Sequence, residues 1–96
     1  MSVATGTITL RFFGALRQAI GQREVGLPWA GATVEEVLRR FADESSEEVR
    51  SFIFDRQGRR WRSLLLLLNE EPVEDSQATR VADGDILALL LPLAGG

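Results

Sequence analysis

Thr33-Val34-Glu35-Glu36-Val37-Leu38-Arg39-Arg40-Phe41 decides the layout of this chain. Thr33 and Glu36 have the spacing of a capping box, in which the hydroxyl meets an orphan amide and the carboxylate reaches back to the cap. Val34, Val37, Leu38 and Phe41 then recur at helical spacing, with Glu35, Arg39 and Arg40 on other faces. The pattern predicts an amphipathic helix that ends near Asp43. Ser45 and Glu48 repeat the capping spacing and predict a second helical piece carrying Val49, Phe52 and Ile53.

N-terminal to this helix the period changes from helical to two. Ile8, Leu10 and Phe12 alternate with Thr7, Thr9 and Arg11, the pattern of a half-buried strand. Gly14 breaks it, Ala15 to Ile20 suits a short helical turn, and Gly21 ends that turn. Arg23 to Leu27 gives a second strand with Val25 and Leu27 on one face, closed by Pro28 and Gly31. On the C-terminal side, Asp55 to Gly58 is a turn and Trp61 to Leu68 reads as a strand. Asn69 to Glu71 turns the chain and Pro72-Val73 extends it briefly. Gln77 to Val81 has no clear pattern. Asp83-Gly84-Asp85 is a turn signal, Ile86 to Leu91 a last strand, and Pro92 its end. A hairpin, a crossover helix and a return strand make an α+β fold, one mixed sheet with one main helix packed on one face. That is the β-grasp (ubiquitin-like) arrangement. Residues 1–96 are expected to form a single domain, with 1–6 a flexible N-terminus and 92–96 a protruding tail.

Composition removes most chemistries. The 96 residues contain no Cys, His, Lys or Tyr. There is no thiolate nucleophile or thiolate metal site, no imidazole base and no lysine for a Schiff base or P-loop. The expectation is a chain that is not an enzyme in its own right. It should bind no metal and no cofactor. The formal net charge of −3 argues against nucleic-acid binding, which requires a basic face. Arg56, Arg59, Arg60 and Arg62 form the one local basic cluster and read as a solvated loop. The acids Glu70, Glu71, Glu74, Asp75, Asp83 and Asp85 lack the alternating spacing of a Ca²⁺ loop, so the Asp83–Asp85 acids read as turn caps. Met1 to Gly6 lacks the features of a signal peptide. The longest apolar run, Ile86 to Ala94, is too short to cross a bilayer. No membrane partner and a cytoplasmic location are therefore expected.

Two features are left to carry function. Gly95 and Gly96 have no side chains to pack and lose the most entropy when ordered. They suit a carboxylate threaded through a narrow channel into another protein, preceded by Pro92, Leu93 and Ala94; the other reading is a flexible end with no role. The second feature is apolarity on both faces of two strands. Leu64, Leu66 and Leu68 oppose Leu65 and Leu67, and Ile86, Ala88 and Leu90 oppose Leu87, Leu89 and Leu91. A central strand buried on both sides would explain this. One main helix covers only one sheet face, however, so an exposed apolar patch is the favoured reading. Leu65, Leu67, Leu87, Leu89 and Leu91 are assigned to that partner surface.

Three stretches together resemble one family. Asn69-Glu70-Glu71-Pro72-Val73, Ala82-Asp83-Gly84-Asp85-Ile86 and Leu91-Pro92-Leu93-Ala94-Gly95-Gly96 look like the MoaD/ThiS sulfur carriers. The opening Ile8 to Arg17 is similar to the start of MoaD-type chains. The Arg56–Arg62 loop makes the chain similar to the longer, archaeal-type MoaD-like forms. Leu91 stands where many such tails have a proline, and Leu93 is bulkier than the usual valine. The resemblance implies a sulfur carrier whose Gly96 carboxylate is adenylated with ATP by a ubiquitin-activating-type enzyme, then converted by a sulfur donor to a thiocarboxylate. It implies a co-substrate rather than a catalyst, with Gly95 as the slim neighbour of the activated residue. The leading expectation is the small subunit of molybdopterin synthase, partnered by a large subunit in molybdenum cofactor synthesis. The alternatives are a ubiquitin-like modifier forming isopeptide bonds with lysines of other proteins, and a carrier for cysteine or another sulfur metabolite. Having no lysine, the chain should not build lysine-linked chains on itself.

Overall fold

A computed structural model describes residues 6–91. The elements are β1 (Ile8–Phe13), α1 (Gly14–Ile20), β2 (Glu24–Leu27), α2 (Val34–Asp43), α3 (Glu47–Ile53), β3 (Leu65–Leu68), β4 (Glu71–Pro72) and β5 (Ile86–Leu91). They build one five-stranded mixed sheet in the order β2-β1-β5-β3-β4. β1 and β5 are parallel at its centre, and every other pairing is antiparallel. The expected β-grasp layout is the one observed. Helix α2 is the longest of three helices among the described residues.

Helix α2 starts as the capping box predicts. The Glu36 amide donates to Thr33 Oγ1 at 3.1 Å and the Thr33 amide donates to Glu36 Oε1 at 2.8 Å. That bond from the Thr33 backbone holds the Glu36 carboxyl below the usual glutamate range; desolvation opposes it, and the Thr33 hydroxyl and the charges of Arg80 and Arg40 add smaller contributions in its favour. Val34, Val37, Leu38, Phe41 and Ala42 face inward. They meet Ile8, Leu10 and Phe12 of β1, Leu64 and Leu66 at β3, and Leu87 and Leu89 of β5 in one buried cluster. Phe12 and Phe41 stack with centroids 5.4 Å apart.

Several element boundaries shift by a residue from the sequence reading, and two of the differences are instructive. The cap of α3 is Ser46, whose hydroxyl accepts from the Val49 amide at 3.2 Å, not Ser45. Ser45 instead donates from Oγ to the Phe41 carbonyl at 2.6 Å and closes the end of α2. Strand β3 begins at Leu65 rather than Trp61. The Trp61 amide donates to the Ile53 carbonyl, and its indole Nε1 donates to the Ser51 carbonyl at 2.7 Å. These bonds tie Trp61 to α3 instead of to the sheet, and the Leu64 amide donates back to the Trp61 carbonyl.

The turns carry out what their residue types promise. Asp55 Oδ1 accepts from the amides of Gln57 and Arg59, and Arg56, Arg59 and Arg62 are exposed, whereas Arg60 is half-buried and its Nη1 donates to the Leu64 carbonyl. Asn69 and Glu70 both have positive φ, 51° and 74°, in the two-residue connection of the β3–β4 hairpin. This is the type I′ geometry that suits the sheet's twist. The Asn69 side chain bridges to β5: Nδ2 donates to Asp85 Oδ1 and Oδ1 accepts from the Ile86 amide. Asp83 Oδ1 accepts from the Thr7 amide at 2.8 Å and Asp85 Oδ2 from the Ala82 amide at 2.7 Å. Both acids are turn caps, as expected, and among the described residues no three carboxylates converge as a metal site. None of the described helices is long and apolar enough to cross a membrane.

Candidate functional site: the sheet face beside the last strand

The strand that leads into the tail lies between β1 and β3, hydrogen-bonded on both edges. Its last residue, Leu91, forms a parallel bridge with Gly14 at the corner where β1 turns into α1. Gly14 has φ +67°, and a Cβ there would overlap the Leu91 carbonyl oxygen. Glycine at this corner lets the two backbones meet. Pro92, Leu93, Ala94, Gly95 and Gly96 lie outside the described residues.

Strand register assigns the faces. On one side Leu66 pairs with Leu89 and Leu68 with Leu87, while Leu10 and Phe12 of β1 pair with the same two β5 residues. This side meets the helices, and Leu87 and Leu89 are fully buried in the core. Their assignment to the partner surface is therefore corrected. Leu91, of the same parity, is half-buried and packs against the edge of the core. On the other side Leu65 pairs with Leu90, and Leu67 with Ala88; Arg11 and Phe13 of β1 pair with Ala88 and Leu90.

This second side is an apolar face open to solvent. Leu65 is 49% exposed and Phe13 40% exposed. Leu67, Ile86, Ala88 and Leu90 are half-buried beside them. The expectation of an exposed apolar face holds for Leu65 and Leu67. On β5 the face consists of Ile86, Ala88 and Leu90, the opposite parity to the one assigned. Phe13 was missed, although one signal marked it: it is an apolar residue on the polar side of the β1 alternation. Arg11 edges the patch and its guanidinium is 3.1 Å from Glu24 Oε1.

Known proteins of this shape are ubiquitin-like. The model of the ThiS family matches residues 10–96. The chain belongs to the ThiS family. Members are small ubiquitin-like carriers and modifiers, not catalysts. Among solved structures, SAMP1 from Haloferax volcanii is 28% identical with a TM-score of 0.82, over 95% of this chain and 100% of that one. The Haloferax volcanii HVO 2177 protein is 30% identical with a TM-score of 0.79, over 96% of this chain and 88% of that one. A third similar structure is the complex of subunits 1 and 2 of the molybdopterin-converting factor from Helicobacter pylori. There the identity is 22% and the TM-score 0.61, over 94% of this chain and 99% of that one, which shows the shared fold alone. No curated protein sequence matches the chain.

Proposed function

We propose that this ThiS-family chain is a sulfur carrier that works in the cytoplasm through the carboxylate of Gly96. The observation that carries the reading is the family match through Gly96, on a chain whose own side chains include no Cys, His or Lys. The free carboxylate is a poor electrophile, so it must be activated. A ubiquitin-activating-type enzyme joins it to the α-phosphate of ATP, giving an acyl-adenylate and pyrophosphate. A sulfur donor then supplies sulfide-level sulfur that attacks the carbonyl carbon. The carbon–oxygen bond to AMP breaks with its electrons leaving on AMP, and a proton is released. The product is a Gly96 thiocarboxylate. Gly95 and Ala94 put little bulk next to the reacting carbon, and Pro92 and Leu93 complete the segment to be threaded.

The chain contributes binding rather than catalysis. The apolar face of Phe13, Leu65, Leu67, Ala88 and Leu90 stands beside the end of β5, where a protein that takes the tail can also cover it. The proposed destination of the sulfur is molybdopterin synthesis, with this chain as the small subunit beside a large subunit. A protein of the same fold sits with a second subunit in the Helicobacter pylori complex. A second reading, conjugation to lysines of other proteins, is favoured by the higher identity to SAMP1, a protein of the kind named small archaeal modifier protein 1.

Intact-mass measurement of the protein from its own host tests the proposal. A sulfur-for-oxygen mass gain confined to the C-terminal peptide is expected. Gly-Gly remnants on lysines of other proteins would establish the second reading. If neither occurs, and the host's adenylating enzyme with ATP forms no acyl-adenylate on Gly96, the carrier proposal fails.

A further inference from the structure

The end of the sheet from which β5 exits is basic, on a chain whose formal net charge is −3. Phe13 pairs with Leu90 near that exit, and the Phe12 amide donates to the Arg23 carbonyl, which places Arg23 at the same end. Arg11, Arg17 and Arg23 line one cleft with Phe12, Phe13 and Glu24. Arg17 and Arg23 also border the adjoining groove with Gly14, the residue that meets Leu91. Arg17 and Arg23 are exposed, and no carboxylate among the described residues lies within ion-pair distance of either. Glu24, paired with Arg11, is the one acid lining the cleft. The acids of the Asn69–Asp75 and Asp83–Asp85 segments sit at the other end of the sheet, where β3 ends and β5 begins.

We infer that the Arg11–Arg17–Arg23 cleft receives an acidic segment of the protein that takes the tail, resting on the carrier reading above. Uncompensated guanidinium groups pair readily with carboxylates. The cleft runs directly into the apolar face through Phe13, so a single partner surface with an acidic rim and an apolar centre covers both. Charge arranged this way acts on encounter: it orients the chain with its tail end forward and raises the association rate more than the final affinity.

Two measurements test this. The first maps amide shifts on titration with a poly-L-glutamate peptide and, separately, with inorganic phosphate. Shifts are expected at Phe13, Gly14, Arg17 and Arg23 with poly-glutamate and not with phosphate. Shifts centred on Arg56–Arg62, no shifts, or equal shifts with phosphate would overturn the assignment. The second follows tail adenylation by the host's adenylating enzyme. Arg17→Glu with Arg23→Glu should lower kcat/KM about tenfold at low salt with kcat unchanged, and the gap should close as salt rises. Glu70→Arg with Glu74→Arg, at the opposite end, should cause no such loss. An unchanged kcat/KM in the arginine double variant, or an equal loss in the Glu70/Glu74 control, would also overturn it. If the wild-type chain is not adenylated while the poly-glutamate map holds, the carrier reading falls and the acidic recognition stands.

Discussion

Replacing Gly14 by alanine should show how firmly the mount of the tail is fixed. Two costs add at this position. The backbone sits at φ +67°, and holding an L-residue in the left-handed region costs about 1–2 kcal/mol. The new Cβ would also overlap the Leu91 carbonyl oxygen, with the Leu91 carbonyl carbon 3.3 Å away. That neighbour is backbone within a paired strand and cannot swing aside as a side chain would. Forcing it to shift adds about 1–3 kcal/mol, the range of overpacked sites. Gly21→Ala is the control. Its φ is +79° and nothing lies within 4 Å of a Cβ there, so it bears only the conformational cost. Urea unfolding should therefore place Gly14→Ala about 1–3 kcal/mol below Gly21→Ala. At about 4–8 °C per kcal/mol for a domain of this size, the two melting temperatures should differ visibly. Gly14→Ala should also slow adenylation of the tail beyond what its lost stability explains, because the end of β5 is displaced. Equal destabilisation by the two substitutions would refute the claim that Gly14 is glycine because Leu91 needs the space.

The remaining predictions separate faces, turns and caps. Leu89→Ala should cost about 2–5 kcal/mol in unfolding free energy, as core truncations do. Leu90→Asp and Leu65→Asp should instead leave a cooperatively folded chain that the adenylating enzyme no longer binds, read by calorimetry and by pyrophosphate exchange respectively. Glu70→Gly should raise stability by about 1 kcal/mol in a urea titration, because it relieves an L-residue held at positive φ in a type I′ turn. Thr33→Ala should cost about 1 kcal/mol by removing the cap of α2. The lowered pKa of Glu36 means that its contribution is complete above the ordinary glutamate pKa and is lost as pH falls through the lower folded value. Glu36→Gln should therefore flatten the acid limb of the melting-temperature profile, and an unaltered limb would count against the capping assignment.

The sequence was most informative where a residue type has one local use. Thr33 with Glu36, the Ile8-Leu10-Phe12 alternation and the Asp83–Asp85 turn each appear in the structure as they were read. The Ser45/Ser46 cap was misplaced because two adjacent serines offer the same oxygen, and the choice rests on which amide each one meets in space. Residues 61–64 looked like strand because Trp61 has high β propensity. The amide and indole partners of Trp61 lie on α3, a contact that no local pattern reveals. The sharpest failure lies in β5. All six of its residues are apolar, so alternation carries no information about which three face the helices. Only pairing with β1 and β3 decides it, and that register depends on long-range hydrogen bonds such as Ile86 to Asn69. The exposed apolar face was legible as a property of the sheet but not residue by residue.

On the proposed function, that ambiguity in β5 follows from two requirements. A strand at the centre of a small sheet with helices on one side must be apolar toward the core. This strand must also be apolar on the other side if a partner is to cover the sheet beside the tail. Leu87 and Leu89 serve the first requirement, and Ala88 and Leu90 the second. Both its edges are paired as far as Leu90, and Leu91 bridges to Gly14 on the β1 side. On the proposed function, a partner can locate the end of β5 from Phe13, Leu65 and the nearby arginines. Two consequences follow for mutations along this strand. Changes at Leu87 or Leu89 act on the tail only through folding, and their effect on adenylation should track the folded fraction. Changes at Ala88 or Leu90 act on recognition at full folding. On the proposed function, the same strand should separate stability from recognition by the parity of the residue number.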